Sequence, residues 1–94
     1  GNIVHNLGTI GPHELEPPDW AVRFDANIAR ALEEGDVHYL TQNGADALLR
    51  MAHPSLDHYV PLLVCAGAGQ DLAVRSIFTG WQNTSISMRC VAFA

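Results

Sequence analysis

Five histidines occur in a chain of only 94 residues, and they are the side chains best able to do chemistry. Imidazole is the commonest metal ligand in proteins, and it also serves as a base near neutral pH. The sequence contains neither a His-Glu-x-x-His motif nor paired Cys-x-x-Cys motifs, so no strict metal-binding pattern groups the histidines. They must therefore be weighed one at a time: His5, His13, His38, His53 and His58.

The densest polar cluster is residues 53–58, His-Pro-Ser-Leu-Asp-His. Ser55 is expected to cap a helix that follows, which would put His58 one turn inside, near the positive end of the helix. A neutral imidazole is favoured there, and this is the form that binds a metal. The alternative is a histidine hydrogen-bonded at a helix start. Asp57 is either a carboxylate ligand or an acid in the first helical turn.

The other histidines divide into two candidates and two surface residues. His5 lies in an expected loop between apolar residues, which suits a metal ligand, a general base or a partly buried histidine bonded to backbone. Asn6 beside it is a candidate for binding substrate or supporting a ligand. His53 precedes a proline and either supports a metal ligand or simply ends a helix. The remaining two are expected on the surface: His13 and His38.

Hydrophobic periodicity predicts an α/β protein, with four helices followed by two strands. The first helix is the clearest, because Trp20, Phe24 and Ile28 recur at helical spacing and Gly35 provides a left-handed stop. The predicted helices span 19–34, 36–42, 45–52 and 55–67, and the strands lie near 72–78 and 85–93. Two strands do not form a stable sheet alone, so we expect them to need further strands.

The run from Val60 to Ala68 has no charged residue, so the fourth helix is expected to be buried on nearly all sides. Cys65 and Cys90 lie in apolar contexts and are interpreted as small buried hydrophobic residues in a reducing, cytoplasmic compartment. A disulfide between them is the less favoured alternative.

The overall charge excludes some functions. The net charge is −5 and the chain has five arginines and no lysine, whereas nucleic-acid-binding proteins concentrate basic residues. The longest apolar stretch, 59–68, is about half of the ~20 residues needed to span a bilayer. We therefore expect neither a nucleic acid nor a membrane as partner.

The order of four motifs resembles the carboxy-terminal third of the class III extradiol ring-cleavage dioxygenases, in particular the DOPA 4,5-dioxygenase-like family. The motifs are Gly-Asn-Ile-Val-His-Asn-Leu at 1–7, Pro-Pro-Asp-Trp-Ala-x-x-Phe at 17–24, His-Pro-Ser-Leu-Asp-His-Tyr-Val-Pro-Leu-Leu at 53–63 and Ser-Ile-Ser-Met at 85–88. The resemblance covers essentially the whole chain. It implies that residues 1–94 are the carboxy-terminal part of a single mixed-sheet catalytic domain whose amino-terminal part is absent.

The resemblance also implies a reaction, in which a non-haem Fe(II), or zinc, binds a catechol-type substrate and O₂ for ring opening. His5 and His58 match metal-site residues of the family, and His5 is also the candidate acid/base. Whether Asp57 or His58 fills the last ligand position stays open, with His58 favoured. The remaining ligands would come from the rest of the domain, so this chain alone is expected to be inactive. The alternative is a non-catalytic metal-binding or interaction module with the same fold.

Overall fold

The computed structural model describes residues 2–12, 15–42, 47–69 and 71–94, and it contains helices followed by short antiparallel strands. A 3₁₀ turn covers Leu7–Thr9. The α-helices are α1 (Asp19–Glu34), α2 (Val37–Gln42), α3 (Ala47–Ala52) and α4 (Val60–Ala68), and the strands are β1 (Val74–Phe78), β2 (Trp81–Gln82), β3 (Ile86–Ser87) and β4 (Cys90–Phe93). The predicted α/β class is confirmed. His13 lies outside the described residues.

Helix α1 is the centre of the fold, and its predicted bounds are confirmed. Phe24 and Ile28 are completely buried, and they form the core together with residues of α2, α3 and the amino-terminal segment. The helix ends at Gly35, whose φ of 68° is left-handed and whose N–H is bonded to the carbonyls of Ala31 and Leu32. Glycine accepts this φ without the steric cost that a Cβ brings.

Helices α2 and α3 both pack against α1. Asp36 caps α2, because its Oδ1 accepts a hydrogen bond of 2.9 Å from the N–H of Tyr39, so the helix begins one residue later than predicted. His38 is exposed on α2, as predicted. In α3, Leu49 faces the core. The predicted start of that helix at residue 45 lies outside the described residues.

The fourth helix differs from its prediction in position and in burial. It begins at Val60 rather than at residue 55, and none of its residues is buried. Val64 is 66% exposed, because only one side of the helix contacts the rest of the described chain. Pro61 is the second helical residue, where the amide has no helical partner to lose.

The interpretation of the cysteines as buried residues is also wrong, since Cys65 and Cys90 are both exposed free thiols. They line a shallow cavity of about 290 Å³ that is bounded by residues of α4 and β4. Apolar neighbours in the sequence do not indicate which side of a helix or strand the rest of the described chain covers. The two cysteines lie on sides that it leaves exposed.

The strands form two antiparallel pairs. β1 pairs with β4, with Val74 opposite Phe93 and an irregularity between Ser76 and Phe78. β2 pairs with β3 in a hairpin, and the single strand predicted near 85–93 is two short strands, β3 and β4. Gly69, after α4, lies so close to β4 that an added Cβ would come within 2.7 Å of the Phe93 side chain.

No helix within the described ranges is both long enough and apolar enough to cross a membrane.

Candidate functional site

The segment that carries His5 is hydrogen-bonded to the end of α3. The His5 N–H donates to the Ala52 carbonyl at 2.8 Å, and the Asn6 side-chain amide donates to the Met51 carbonyl at 2.6 Å. Asn6 also accepts a 2.9 Å hydrogen bond from the Gly8 N–H, which caps the 3₁₀ turn that follows. The backbone on both sides of His5 is therefore fixed by local bonds, and Asn6 supports its neighbour through its amide.

His58 lies in a turn that precedes α4, and not inside a helix as predicted. The Ser55 hydroxyl donates to the Asp57 carboxylate instead of capping helical amides. The turn is closed by the N–H groups of Tyr59 and Val60, each 2.9 Å from the Leu56 carbonyl. Because the Ser55 hydroxyl bonds the Asp57 side chain, it does not cap backbone amides at this point, and the helix begins only at Val60.

The structure brings His5 and His58 into direct contact, although 53 residues separate them. Their rings are stacked with centroids 3.7 Å apart and planes inclined by 19°. The ring nitrogens of His5 form no hydrogen bond with any residue that the structure describes. Two imidazoles held this close, without protein partners for the His5 nitrogens, can interact with a ligand.

The stacked pair borders an open depression of about 500 Å³. Its walls come from the 3₁₀ turn and from the loop before α4: His5, Asn6, Leu7, Gly8, Pro54, Ser55, Asp57 and His58. The volume is within the range of small-molecule sites. Four residues predicted as site candidates therefore border one depression: His5, Asn6, Asp57 and His58. His53 does not border it.

Asp57 is an exposed carboxylate at the edge of the depression. The hydrogen bond from the Ser55 hydroxyl lowers the pKa of the Asp57 carboxyl, so the group is ionised at neutral pH. Its Oδ2 lies 3.8 Å from Nε2 of His58. Among the described residues, no group of three or more His, Cys, Asp or Glu side chains is arranged to hold a metal ion. The two imidazoles and the nearby carboxylate are of metal-ligand type, but within the described ranges they are not arranged as a metal site.

His53 is buried directly behind the depression, with 2% of its surface exposed. Its Nε2 lies 2.6 Å from the Ile3 carbonyl oxygen, to which it must donate because a carbonyl only accepts. Its Nδ1 is buried and has no partner among the described residues. Burial lowers the pKa of the His53 imidazole, which is therefore neutral at pH 7.

A second polar cluster was not predicted from the sequence. Arg89 donates to both carboxylate oxygens of Asp25 at 2.8 to 3.1 Å and to the Ser76 hydroxyl at 2.8 Å. The Ser87 hydroxyl donates to the same carboxylate at 2.6 Å. The hydrogen bonds that Arg89 donates to the Asp25 carboxylate raise the pKa of its guanidinium. The only sequence signal was the acid at position 25 on the apolar side of α1, one residue after Phe24.

The chain is similar to a curated relative and to a solved structure. No family model matches the chain. The 4,5-DOPA dioxygenase extradiol of Escherichia coli strain K12 is 33% identical over 76 residues, which make up 72% of this chain and 27% of the relative. The chain is distantly related to part of that dioxygenase. It spans about a quarter of the length of this curated relative.

A solved structure resembles nearly the whole chain. The crystal structure of uncharacterized protein JW3007 from Escherichia coli K12 matches with a TM-score of 0.84 and 28% sequence identity, over 97% of this chain and 39% of that chain. The described fold thus recurs as part of a larger folded polypeptide. The curated relative is named an extradiol dioxygenase, so the distant relationship is to an oxidoreductase.

Proposed function

We propose that this chain forms part of a non-haem, metal-dependent extradiol dioxygenase that opens a catechol-type ring with O₂. The observation that carries the proposal is the stacked pair of His5 and His58 beside an open depression. The distant relationship to a 4,5-DOPA dioxygenase supports the same reaction class. An aromatic diol of the DOPA type is accordingly the substrate that we propose.

In this proposal His58 is the metal-binding imidazole, and His5 is the acid/base and a metal-site residue. We favour His58 over Asp57 as the ligand, because the His58 ring contacts His5 at the edge of the depression. A bound Fe(II), or zinc, would supply a Lewis acid that orients the substrate oxygens. His5 takes a proton from a substrate hydroxyl and later returns it, a role for which an imidazole at the wall of the depression is suited.

The site requires chain beyond the residues described. Two imidazoles and one carboxylate do not complete a metal site, and the relatives that match are much longer than the matched region. Val60 and Val64 of α4 are exposed apolar residues, and each sheet has two strands within the described ranges. These surfaces fit a role as one portion of a larger domain, and the 94-residue chain alone is then inactive.

The test is a hybrid enzyme in which this chain replaces the matching segment of the curated relative. We expect Fe(II)-dependent O₂ uptake with DOPA, measured with an oxygen electrode against the unmodified relative. His5→Asn should lower the rate by about 10²-fold or more through the lost proton transfer. His58→Ala should lower metal content as well as rate. His38→Gln, which changes an exposed histidine on α2, is the matched control and should keep full activity.

Two outcomes would count against the proposal. A folded hybrid that binds Fe(II) but takes up no O₂ with DOPA or other catechols would favour a non-catalytic metal-binding module. A hybrid whose metal content is unaffected by His58→Ala would remove that residue from the site.

A further inference from the structure

His53 is a buried residue that contacts both segments carrying the stacked histidines. Its ring donates to the carbonyl of Ile3, two residues before His5. The same ring lies against Tyr59, with centroids 5.2 Å apart, and Tyr59 directly follows His58. A single buried side chain thus connects the supports of two residues that are distant in sequence.

On the His5 side, the connection is part of a ladder of three hydrogen bonds. The His53 ring binds the Ile3 carbonyl at 2.6 Å, the His5 N–H binds the Ala52 carbonyl at 2.8 Å, and the Asn6 amide binds the Met51 carbonyl at 2.6 Å. Successive residues 51–53 therefore each hold one residue of the His5 segment. The His53 bond is the buried end of this ladder, where water cannot replace a lost donor.

On the His58 side, His53 makes an aromatic contact with Tyr59, whose own position is fixed by burial and a hydrogen bond. The Tyr59 ring is buried, with 3% exposure, and its hydroxyl donates to the Leu40 carbonyl at 2.7 Å. Phe24 contacts the rings of both His53 and Tyr59, with centroid separations of 5.9 and 6.3 Å. The position of Tyr59, and with it the turn that carries His58, is fixed against the His53 ring.

We infer that His53 is a positioning residue, which holds His5 and His58 in their stacked arrangement by binding Ile3 and packing against Tyr59. Its significance for catalysis rests on the proposed function, but the arrangement itself does not. The presence of a histidine rather than an apolar residue at position 53 supports the inference. A position that only needed filling would be better served by an apolar ring, because the buried Nδ1 of His53 has no described partner and its desolvation costs free energy.

The experiment is NMR spectroscopy on the 94-residue chain with substitutions that separate the donor from the ring. His53→Phe keeps an aromatic ring and removes the donor. His53→Gln removes the ring and can place an amide N–H near the former Nε2 position. In the unmodified chain we expect NOEs between the His5 and His58 rings. In the Phe variant we expect those NOEs to be lost and the His5 amide to exchange about five- to tenfold faster, as the loss of one hydrogen bond implies.

The glutamine variant distinguishes a positioning role of His53 from a general contribution to the stability of the fold. His53→Gln should recover the slow exchange of the His5 amide, although it fills the core less well than phenylalanine. A folded Phe variant that keeps both the ring NOEs and the slow His5 exchange would overturn the inference. If the Phe variant does not fold, His53→Asn takes its place, since its shorter amide cannot reach Ile3; ring NOEs retained in a folded Asn variant would overturn it equally. His38→Gln is the control and should change neither signal.

The same variants in the hybrid enzyme test the link to catalysis. His53→Phe should lower kcat by about tenfold or more with KM nearly unchanged, because a misplaced acid/base affects the chemical step rather than binding. His53→Gln should recover part of that loss. If every hybrid is inactive while the NMR results hold, the proposed function fails and the positioning inference stands. If the hybrids are active but the NOEs do not respond to position 53, the inference alone fails.

Discussion

Two polar clusters in this molecule differ in how completely their hydrogen bonds are satisfied. The closed cluster comprises Asp25, Ser76, Ser87 and Arg89, and the open cluster comprises His5, Asp57 and His58. In the closed cluster the Asp25 and Arg89 side chains are only 10% and 16% exposed, and every polar group has a partner within the cluster. In the open cluster the Asp57 and His58 side chains are 70% and 41% exposed.

The difference separates a structural role from a binding role. All three guanidinium nitrogens of Arg89 donate hydrogen bonds to Asp25 or Ser76. Few of its N–H groups can therefore bind a ligand. The imidazoles of the open cluster contact each other and border a depression large enough for a small molecule. Arg89 is therefore a weaker candidate for binding a ligand than His5 and His58, although it carries a charge.

The largest effect is expected from breaking the closed cluster. Asp25→Asn removes the negative charge and leaves Arg89 nearly buried without its counterion. Loss of one partner of a buried ion pair typically costs about 3 to 5 kcal/mol. We expect the free energy of unfolding, measured by urea denaturation, to fall by about 3 kcal/mol.

The control for this change is the exposed ion pair of Arg30 and Glu34, which are 3.4 Å apart on α1. Glu34→Gln should cost no more than about 0.5 kcal/mol, because solvent screens the pair. Equal losses for Asp25→Asn and Glu34→Gln would mean that the closed cluster does not stabilise the fold.

The second prediction is that the free energy of unfolding depends on pH through His53, the buried residue behind the open cluster. Burial lowers the pKa of this imidazole in the folded chain below the ordinary value of 6.5. Between the lowered pKa and 6.5 the unfolded chain binds more protons than the folded chain, so stability rises with pH. The stabilisation is therefore fully present above about pH 6.5 and is lost as the pH falls below it, at up to ~1.4 kcal/mol per pH unit.

Urea denaturation between pH 7.5 and 5.5 measures this slope. His53→Gln should flatten it, whereas His38→Gln should leave the slope as it is in the unmodified chain. If the unmodified chain has no slope in this interval, the folded and unfolded chains bind the same number of protons there, and folding does not lower the pKa of His53.

The sequence predicted the helical half of the fold well, because amphipathic spacing and end signals acted together there. Phe24 and Ile28 gave α1 its inward face, and Gly35 gave its end. The sequence did not predict α4 correctly, because a uniformly apolar run has no periodicity and does not indicate which side is covered. Ser55 was misleading for a related reason, since a hydroxyl next to an acid can bond the acid instead of helical amides.

The site was predicted in part. Resemblance to a family singled out His5 and His58, and the structure brings those two rings into contact. The closed cluster was missed because it depends on strand orientation. Ser87 lies on the buried side of β3, and alternation alone does not indicate which face of a strand turns inward. That choice is made by the carboxylate of Asp25, whose partners come from distant parts of the chain.

The third prediction measures the stacked pair itself. Because both rings are partly exposed, His5→Ala and His58→Ala should each lower the free energy of unfolding by no more than about 1 kcal/mol. A double-mutant cycle should give a coupling energy of about 0.5 to 1 kcal/mol, the value expected for a stacked ring pair. A coupling of zero at pH 7.5 would show that the stack contributes nothing to folding and would leave ligand binding as its only role.

The smallest effect is expected within the open cluster, at Ser55. Ser55→Ala removes the hydroxyl that donates to Asp57, so the pKa of the Asp57 carboxyl should rise toward its ordinary value of 3.8. Carboxyl ¹³C chemical shifts followed by NMR against pH measure the change, and Ser55→Thr, which keeps a hydroxyl, should leave the pKa low. Because Asp57 is exposed, the free energy of unfolding at pH 7 should not change measurably in either variant. A large loss of stability in Ser55→Ala alone would mean that the serine orders the whole turn before α4, and that the open cluster is held as tightly as the closed one.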